Sequence, residues 1–218
     1  MSAYTRNLNF SCKDLGKEAT LLFTFDDIVA NPKLFQDQYP VCWKVTVFGE
    51  KGHHFINLTY KNQLAFMRSQ VEEGKITNAG TYKDINIGQM TALTVNPRGV
   101  ANFSEPEEEQ NLLGVSMFKA VNNSGTKQNI SLAFYEGEPR PTAALYFEDV
   151  GNTLDVTAQF IPVLRLYITS DYKENAILRS AIRSPKAVWS HNLADLKEKE
   201  PDFVLTREID GSYKVTPA

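Results

Sequence analysis

The chain has 218 residues, of which 42% are apolar, 11% aromatic and 22% charged, and its formal net charge is -3. That length supports one substantial core. The near-neutral charge, with lysines and arginines scattered along the chain, excludes a nucleic-acid partner recruited through a broad cationic field.

Cys12 and Cys42 are too few for a disulfide framework, and both are expected to be reduced in a cytoplasmic protein. That compartment is expected because the first residues carry no apolar leader and position 2 is Ser2, which breaks the N-myristoylation pattern. No apolar run approaches the roughly 20 residues of a spanning helix.

From Ala19 to about Thr169, apolar and polar residues alternate in short runs broken by Gly, Pro and Asn. Period-two patterning predicts half-buried strands, because successive side chains point to opposite faces. The first is 19–25, with Leu21, Phe23 and Phe25 on one face. Residues 41–48 follow, with Trp43, Val45 and Val47 together, and then 54–60. Gly49-Glu50-Lys51-Gly52 between these two reads as a hairpin turn, since glycine supplies positive φ.

Residues 64–71 fit a short helix or an irregular strand, with strand preferred; 76–82 read as an edge strand or a solvated sheet face, and 87–95 as a strand interrupted by Gly88. Residues 96–110 read as a long exposed loop. Strands at 113–121 and 128–135 flank Asn122-Asn123-Ser124-Gly125, a second hairpin signal. Further strands are expected at 143–147, 153–160 and 163–169, with Pro162 marking a bend or a change of sheet.

After Thr169 the pattern changes. Asp171 followed by Glu174 matches a helix N-cap, and Ile177, Leu178, Ala181 and Ile182 recur at helical spacing. A helix to about residue 182, a second at 191–199 and a closing hairpin at 203–215 complete the expectation. The fold class is therefore all-β: an antiparallel β-sandwich or jelly-roll-like single domain over 1–218. Two short C-terminal helices, at about 171–199, cap an edge or end.

Few residues carry an obvious chemistry. His53 and His54 are adjacent on a strand and point to opposite faces, so no metal site is expected. Neither a nucleophile elbow nor a glycine-rich phosphate loop occurs, so no cofactor is expected and no catalytic residue is assigned. The paired carboxylates, such as Asp26-Asp27 and Glu107-Glu108-Glu109, lie in turns and are expected to be solvated.

The most informative stretch is 162–172. Leu164, Leu166 and Ile168 share one face. Arg165, Tyr167 and Thr169 share the other and lead to Asp171. Such a row binds a polar ligand, or it is a structural lock in which Arg165 pairs with an acid. Trp189 and His191 are expected close by, and Tyr60 is a further candidate ligand contact.

Trp43-Lys44-Val45, Ile87-Gly88-Gln89-Met90-Thr91, residues 162–178 and Val188-Trp189-Ser190-His191-Asn192-Leu193 carry a resemblance. Over most of its length the chain resembles an uncharacterised family of small cytosolic β-rich proteins from mushroom-forming fungi. That resemblance implies no activity.

The leading expectation is a soluble, lectin-like protein that recognises a glycan or small polar molecule through Arg165, Tyr167, Asp171, Trp189, His191 and Tyr60. One alternative is a membrane-acting protein of the pore-forming kind, in which 75–82 rearranges into an amphipathic hairpin. Another is an enzyme with a cavity near Arg165 and Tyr167. The polar edge strands permit a homodimer.

Overall fold

A computed structural model describes residues 4–218. Among these are seventeen strands and one three-residue 3-10 helix, Gln110–Leu112. The strands are β1 (Thr5–Lys13), β2 (Ala19–Thr24), β3 (Tyr39–Pro40), β4 (Cys42–Phe48), β5 (His53–Glu72), β6 (Lys75–Ile85), β7 (Gln89–Val95), β8 (Ala101–Phe103) and β9 (Glu107–Glu108). They continue with β10 (Phe118–Asn123), β11 (Gln128–Tyr135), β12 (Thr142–Val150), β13 (Asp155–Ala158), β14 (Val163–Ile168), β15 (Trp189–Asn192), β16 (Asp202–Arg207) and β17 (Tyr213–Pro217). No described helix is long and apolar enough to cross a membrane.

The largest sheet runs β17-β16-β1-β5-β11-β12-β3, with β6 also on β5. A four-stranded sheet runs β15-β14-β2-β4, and a five-stranded one runs β13-β10-β7-β8 with β9 on β7. All pairings are antiparallel except β1 with β16 and β7 with β10. One apolar cluster takes residues from all three sheets, among them Phe10, Phe134, Phe23, Leu164, Leu93 and Phe118.

The organising strand is β5, 20 residues long and so about 66 Å at roughly 3.3 Å per residue. Its first half pairs with β1, from Lys13↔His53 to Thr5↔Lys61. Its second half pairs on the same edge with β6, from Leu64↔Ile85 to Glu72↔Lys75. The opposite edge carries β11. The expected strands at 54–60 and 64–71 are therefore one continuous element.

Strand β1 lies N-terminal to the first expected strand. Leu8, Phe10 and Cys12 face the core, while Asn7, Asn9 and Ser11 face outward.

Two expected hairpins are instead connections between sheets. β4 pairs with β2 and β5 pairs with β1, so Gly49–Gly52 carries the chain from one sheet to another. The loop is held against the turn at 14–16, where Asp14 N donates to Gly52 O at 3.0 Å and Gly16 N to Glu50 O at 2.8 Å. Likewise β10 and β11 belong to different sheets. Buried Asn122 turns that corner by donating to the carbonyls of Thr126 and Val150. The strands on either side of Pro162, β13 and β14, also belong to different sheets.

The two expected C-terminal helices are absent, which corrects the helical cap placed at about 171–199. Residues 170–187 form an irregular strap, and 189–192 are strand β15. In the strap, Ile177 packs with Val41, Met67 and Tyr146, whereas its neighbour Leu178 packs with Leu22, Cys42 and Tyr167. Adjacent apolar residues thus enter two separate clusters, which extended backbone allows and a one-faced helix does not.

Backbone pairing favours the same outcome. Ile177 N donates to Gly74 O and Leu178 N to Pro40 O, both at 2.9 Å, so strand neighbours take up amides that a helix would have used internally. In place of the second helix, the guanidinium of Arg6 gathers the carbonyls of Leu193 and Leu196.

Aromatic rings fill the centre. Phe134 meets Trp43 edge-on at 5.1 Å between centroids, Tyr60 at 5.2 Å and Phe25 at 5.3 Å, and it is fully buried. Phe134→Ala is expected to cost about 3–5 kcal/mol, read as a lower midpoint in urea unfolding. A loss under about 1 kcal/mol would show that these rings do not hold the large sheet to the four-stranded one.

Candidate functional site

The alternation of β14 places Leu164 and Leu166 in the central cluster and turns Arg165 and Tyr167 to the outer face of the four-stranded sheet. The segment after β2 supplies their partners. The Tyr167 hydroxyl donates to Asp26 Oδ2 at 2.8 Å, and Arg165 Nη2 lies 3.2 Å from Asp27 Oδ2. Arg165 Nη1 also donates to the Tyr167 oxygen at 3.4 Å. Two ion-pairing and hydrogen-bonding residues of one strand are thereby tied to a loop that starts at the end of its neighbour.

Burial dominates the electrostatics here. Asp26 is only 3% exposed. Desolvation pushes its carboxyl up to about 6, against the opposing pull of the Tyr167 hydroxyl and the Arg165 charge. The Tyr167 hydroxyl is raised by burial and then by Asp26, so it stays protonated and donates. Cys42 sits beneath the same face, and burial pushes its thiol up to about 12. A thiol so far from ionisation is a poor nucleophile. Asp26 Oδ1 and Arg165 Nε are buried without a hydrogen-bond partner.

The other expected site residues do not join this pair. Across the β14–β15 ladder, Arg165 is opposite Ser190, whereas His191 is opposite Leu164 and Trp189 opposite Leu166. Trp189 and His191 therefore share the core-facing side. Trp189 packs at 5.3 Å on Phe10 and 5.0 Å on Phe203, and both residues border a cleft of about 460 Å³ near Pro201 and Pro217. Asp171 is exposed, and its N–H donates to Thr169 Oγ1. Among the described residues, no group of three or more His, Cys, Asp or Glu is gathered to hold a metal ion.

Tyr60 alone of the expected set lies in a different and larger depression. Along one edge of β5, β1 begins at Thr5 opposite Lys61, and β6 ends at Ile85 opposite Leu64. Asn62 and Gln63 fall in the gap between these two neighbours. Tyr4 closes one side, where its N–H donates to Asn62 Oδ1 at 2.6 Å.

The gap opens into a cleft of about 530 Å³ reaching to the connector between β13 and β14. Its floor includes Leu64, Ile85, Phe118 and Phe160. Its polar lining includes Tyr4, Tyr60, Asn62, Asn86, Gln159 and Asn192, and no charged side chain lines it.

One wall of the cleft is fixed by a buried amide that sequence reasoning passed over. Asn31 donates from Nδ2 to Ile161 O and accepts Ile161 N at Oδ1, both at 3.1 Å, as a neighbouring strand would. Asn86 borders a second, shallower depression, where Asp84 accepts hydrogen bonds from the Tyr135 hydroxyl and the Gln63 amide. Asn31, Asn86 and Gln159 lie in loops, Asn192 ends β15 and Asn62 sits mid-strand in β5, with no shared spacing. No periodic signal marks them.

Because the folded carboxyl of Asp26 titrates near 6, above its ordinary value of 3.8, the native state holds the proton more tightly than the unfolded chain. Its contribution to stability is complete below about pH 4 and is lost as pH rises through about 6. The loss is on the order of 2–3 kcal/mol. Urea midpoints from pH 4 to 7.5 are expected to fall in this window for the native chain and to flatten in Asp26→Asn. Identical pH profiles for the two chains would remove Asp26 as the source.

No family model, curated protein or solved structure matches the chain.

Proposed function

We propose that this protein is a non-enzymatic, lectin-like β-sandwich that binds an uncharged, hydroxyl-rich ligand, a saccharide, in the cleft between β1 and β6. One observation carries the reading: about 530 Å³ of recess is lined by two tyrosines, four side-chain amides and an apolar floor, without a charged group. The volume falls within the range of small-molecule sites. Side-chain amides supply both donors and acceptors, which suits hydroxyls that also do both. Tyrosine rings and Phe160 offer apolar faces for the C–H side of a sugar ring. A charged group seated in this uncharged lining would be desolvated without a compensating ion pair, so the lining favours a neutral ring.

Arg165 and Tyr167 take a supporting part in this reading. Their contacts to Asp26 and Asp27 anchor the start of the segment that carries Asn31 to the cleft wall.

A glycan array followed by titration calorimetry tests the proposal. Asn86→Ala and Gln159→Ala each remove one exposed amide and are expected to weaken binding about 3- to 10-fold, the worth of one neutral hydrogen bond. Thermal midpoints are expected to stay unchanged. Binding that is insensitive to both variants, or no saccharide binding together with leakage of lipid vesicles, would replace this reading with a surface or membrane one.

A further inference from the structure

Beside the uncharged cleft lies a pocket of opposite character. It has a volume of about 390 Å³ and is lined by Tyr4, Thr5, Arg6, Lys61, Asn62, Gln63 and Lys199. Three of these seven residues are cations and none is a carboxylate. Tyr4 and Asn62 line the large cleft as well, so the two depressions share a wall.

The fold fixes the Arg6 side chain and the backbone at both lysines. Arg6 is half-buried, with Nη2 donating to Leu196 O at 2.7 Å and Nε to Leu193 O at 3.2 Å. Its guanidinium lies 4.7 Å from the centroid of the Tyr4 ring. With a bond from Nη1 to Thr5 O, carbonyls take three of the five N–H donors of a guanidinium. Carbonyl partners orient the group without forming an ion pair with it.

Lys61 stands opposite Thr5 in the β1–β5 register, and the backbone of Lys199 is fixed where its carbonyl accepts Asn7 N at 2.9 Å. Among the described residues, none of the three cations forms an ion pair. In a chain of net charge -3, three unpaired cations around one recess are a local excess that a bound anion would relieve.

We propose that this pocket is an anion subsite, and that it receives a sulfate, phosphate or carboxylate substituent of the saccharide whose uncharged ring occupies the cleft. The second half of that statement rests on the saccharide reading above. The ring meets Tyr4 and Asn62 from the cleft side, and the acidic group passes over the shared wall to Arg6, Lys61 and Lys199. The saccharide class is thereby specified as one whose uncharged ring carries an acidic substituent.

Calorimetry with a singly sulfated disaccharide and its unsulfated counterpart tests it, at about 20 mM and about 150 mM salt. The sulfated form is expected to bind at least 10-fold tighter at low salt, about 1.4 kcal/mol, with the difference shrinking as screening rises. Lys61→Ala with Lys199→Ala is expected to erase the difference while leaving the affinity for the unsulfated sugar and the thermal midpoint unchanged.

If the unsulfated sugar binds and sulfation adds nothing, or its gain survives in the double variant, the anion subsite is overturned and the saccharide reading stands. Binding of inorganic sulfate that the double variant abolishes, with no saccharide bound, would keep the anion pocket and overturn its link to the cleft. Lipid headgroups offer the same phosphate chemistry. Association with vesicles containing phosphatidic acid, without binding of the sulfated disaccharide, would likewise overturn the saccharide as the source of the anion.

Discussion

A strand of 20 residues exposes two long rows of amides and carbonyls, and all of them must find partners. β11 pairs with 61–68 along one edge of β5, while the other is divided between β1 and β6. Because β1 arrives from one end and β6 from the other, a gap remains at Asn62 and Gln63. The cleft and the cationic pocket both border that gap, and the Gln63 amide reaches from it to Asp84. The candidate site is therefore a consequence of how one strand's edge is shared. The backbone at its mouth remains anchored, since Asn62 N donates to Tyr4 O at 3.1 Å.

A second tie crosses the outside of the molecule. The strap at 170–187 covers the outer face of the four-stranded sheet through Leu178 and Ile182, and reaches the large sheet through Ile177. Arg179 pins it to Glu148 and lies over the rings of Tyr39 and Tyr146. Lys44 reaches both Glu174 in the strap and Glu136 beyond β11, at 3.0 and 3.1 Å. Partly buried pairs of this sort set register more than they add stability.

Strand patterning was readable where buried and more exposed positions alternate, as in β7 and β10, and also in β2 and β11, although both faces of those strands are largely buried. Strand β1 also follows the rule, but its apolar positions are only Leu8, Phe10 and Cys12 among amides and charges, so its alternation stands out less. Turn chemistry was less informative, because Gly49–Gly52 and Asn122–Gly125 supply the same positive φ whether the chain returns to its own sheet or crosses to another. The strap misled most. Ile177, Leu178, Ala181 and Ile182 have helical spacing, yet the open strand edges at Pro40, Cys42 and Gly74 outcompete an isolated short helix for its backbone.

For the site, the face shared by Arg165 and Tyr167 was legible, and so was an acidic partner for Arg165 as one reading of that row. The identity of the partners, Asp26 and Asp27, depends on a tertiary contact. Tyr60 was legible as a candidate by type alone. Of the amides around it only Asn62 shares its strand; Asn86, Gln159 and Asn192 come from distant parts of the chain and converge there only through the tertiary fold.

The parallel pairing of β1 with β16 places Asn9 beside Asp202, 193 residues apart. Contacts so distant in sequence close only after a large loss of chain entropy, which slows folding of the whole domain. Until they form, the edge of β1 away from β5 stays open, an apolar-backed strand able to pair with the same strand of another molecule. Refolding yield is therefore set by a race between this late closure and intermolecular strand pairing, and the race tilts toward association as protein concentration rises.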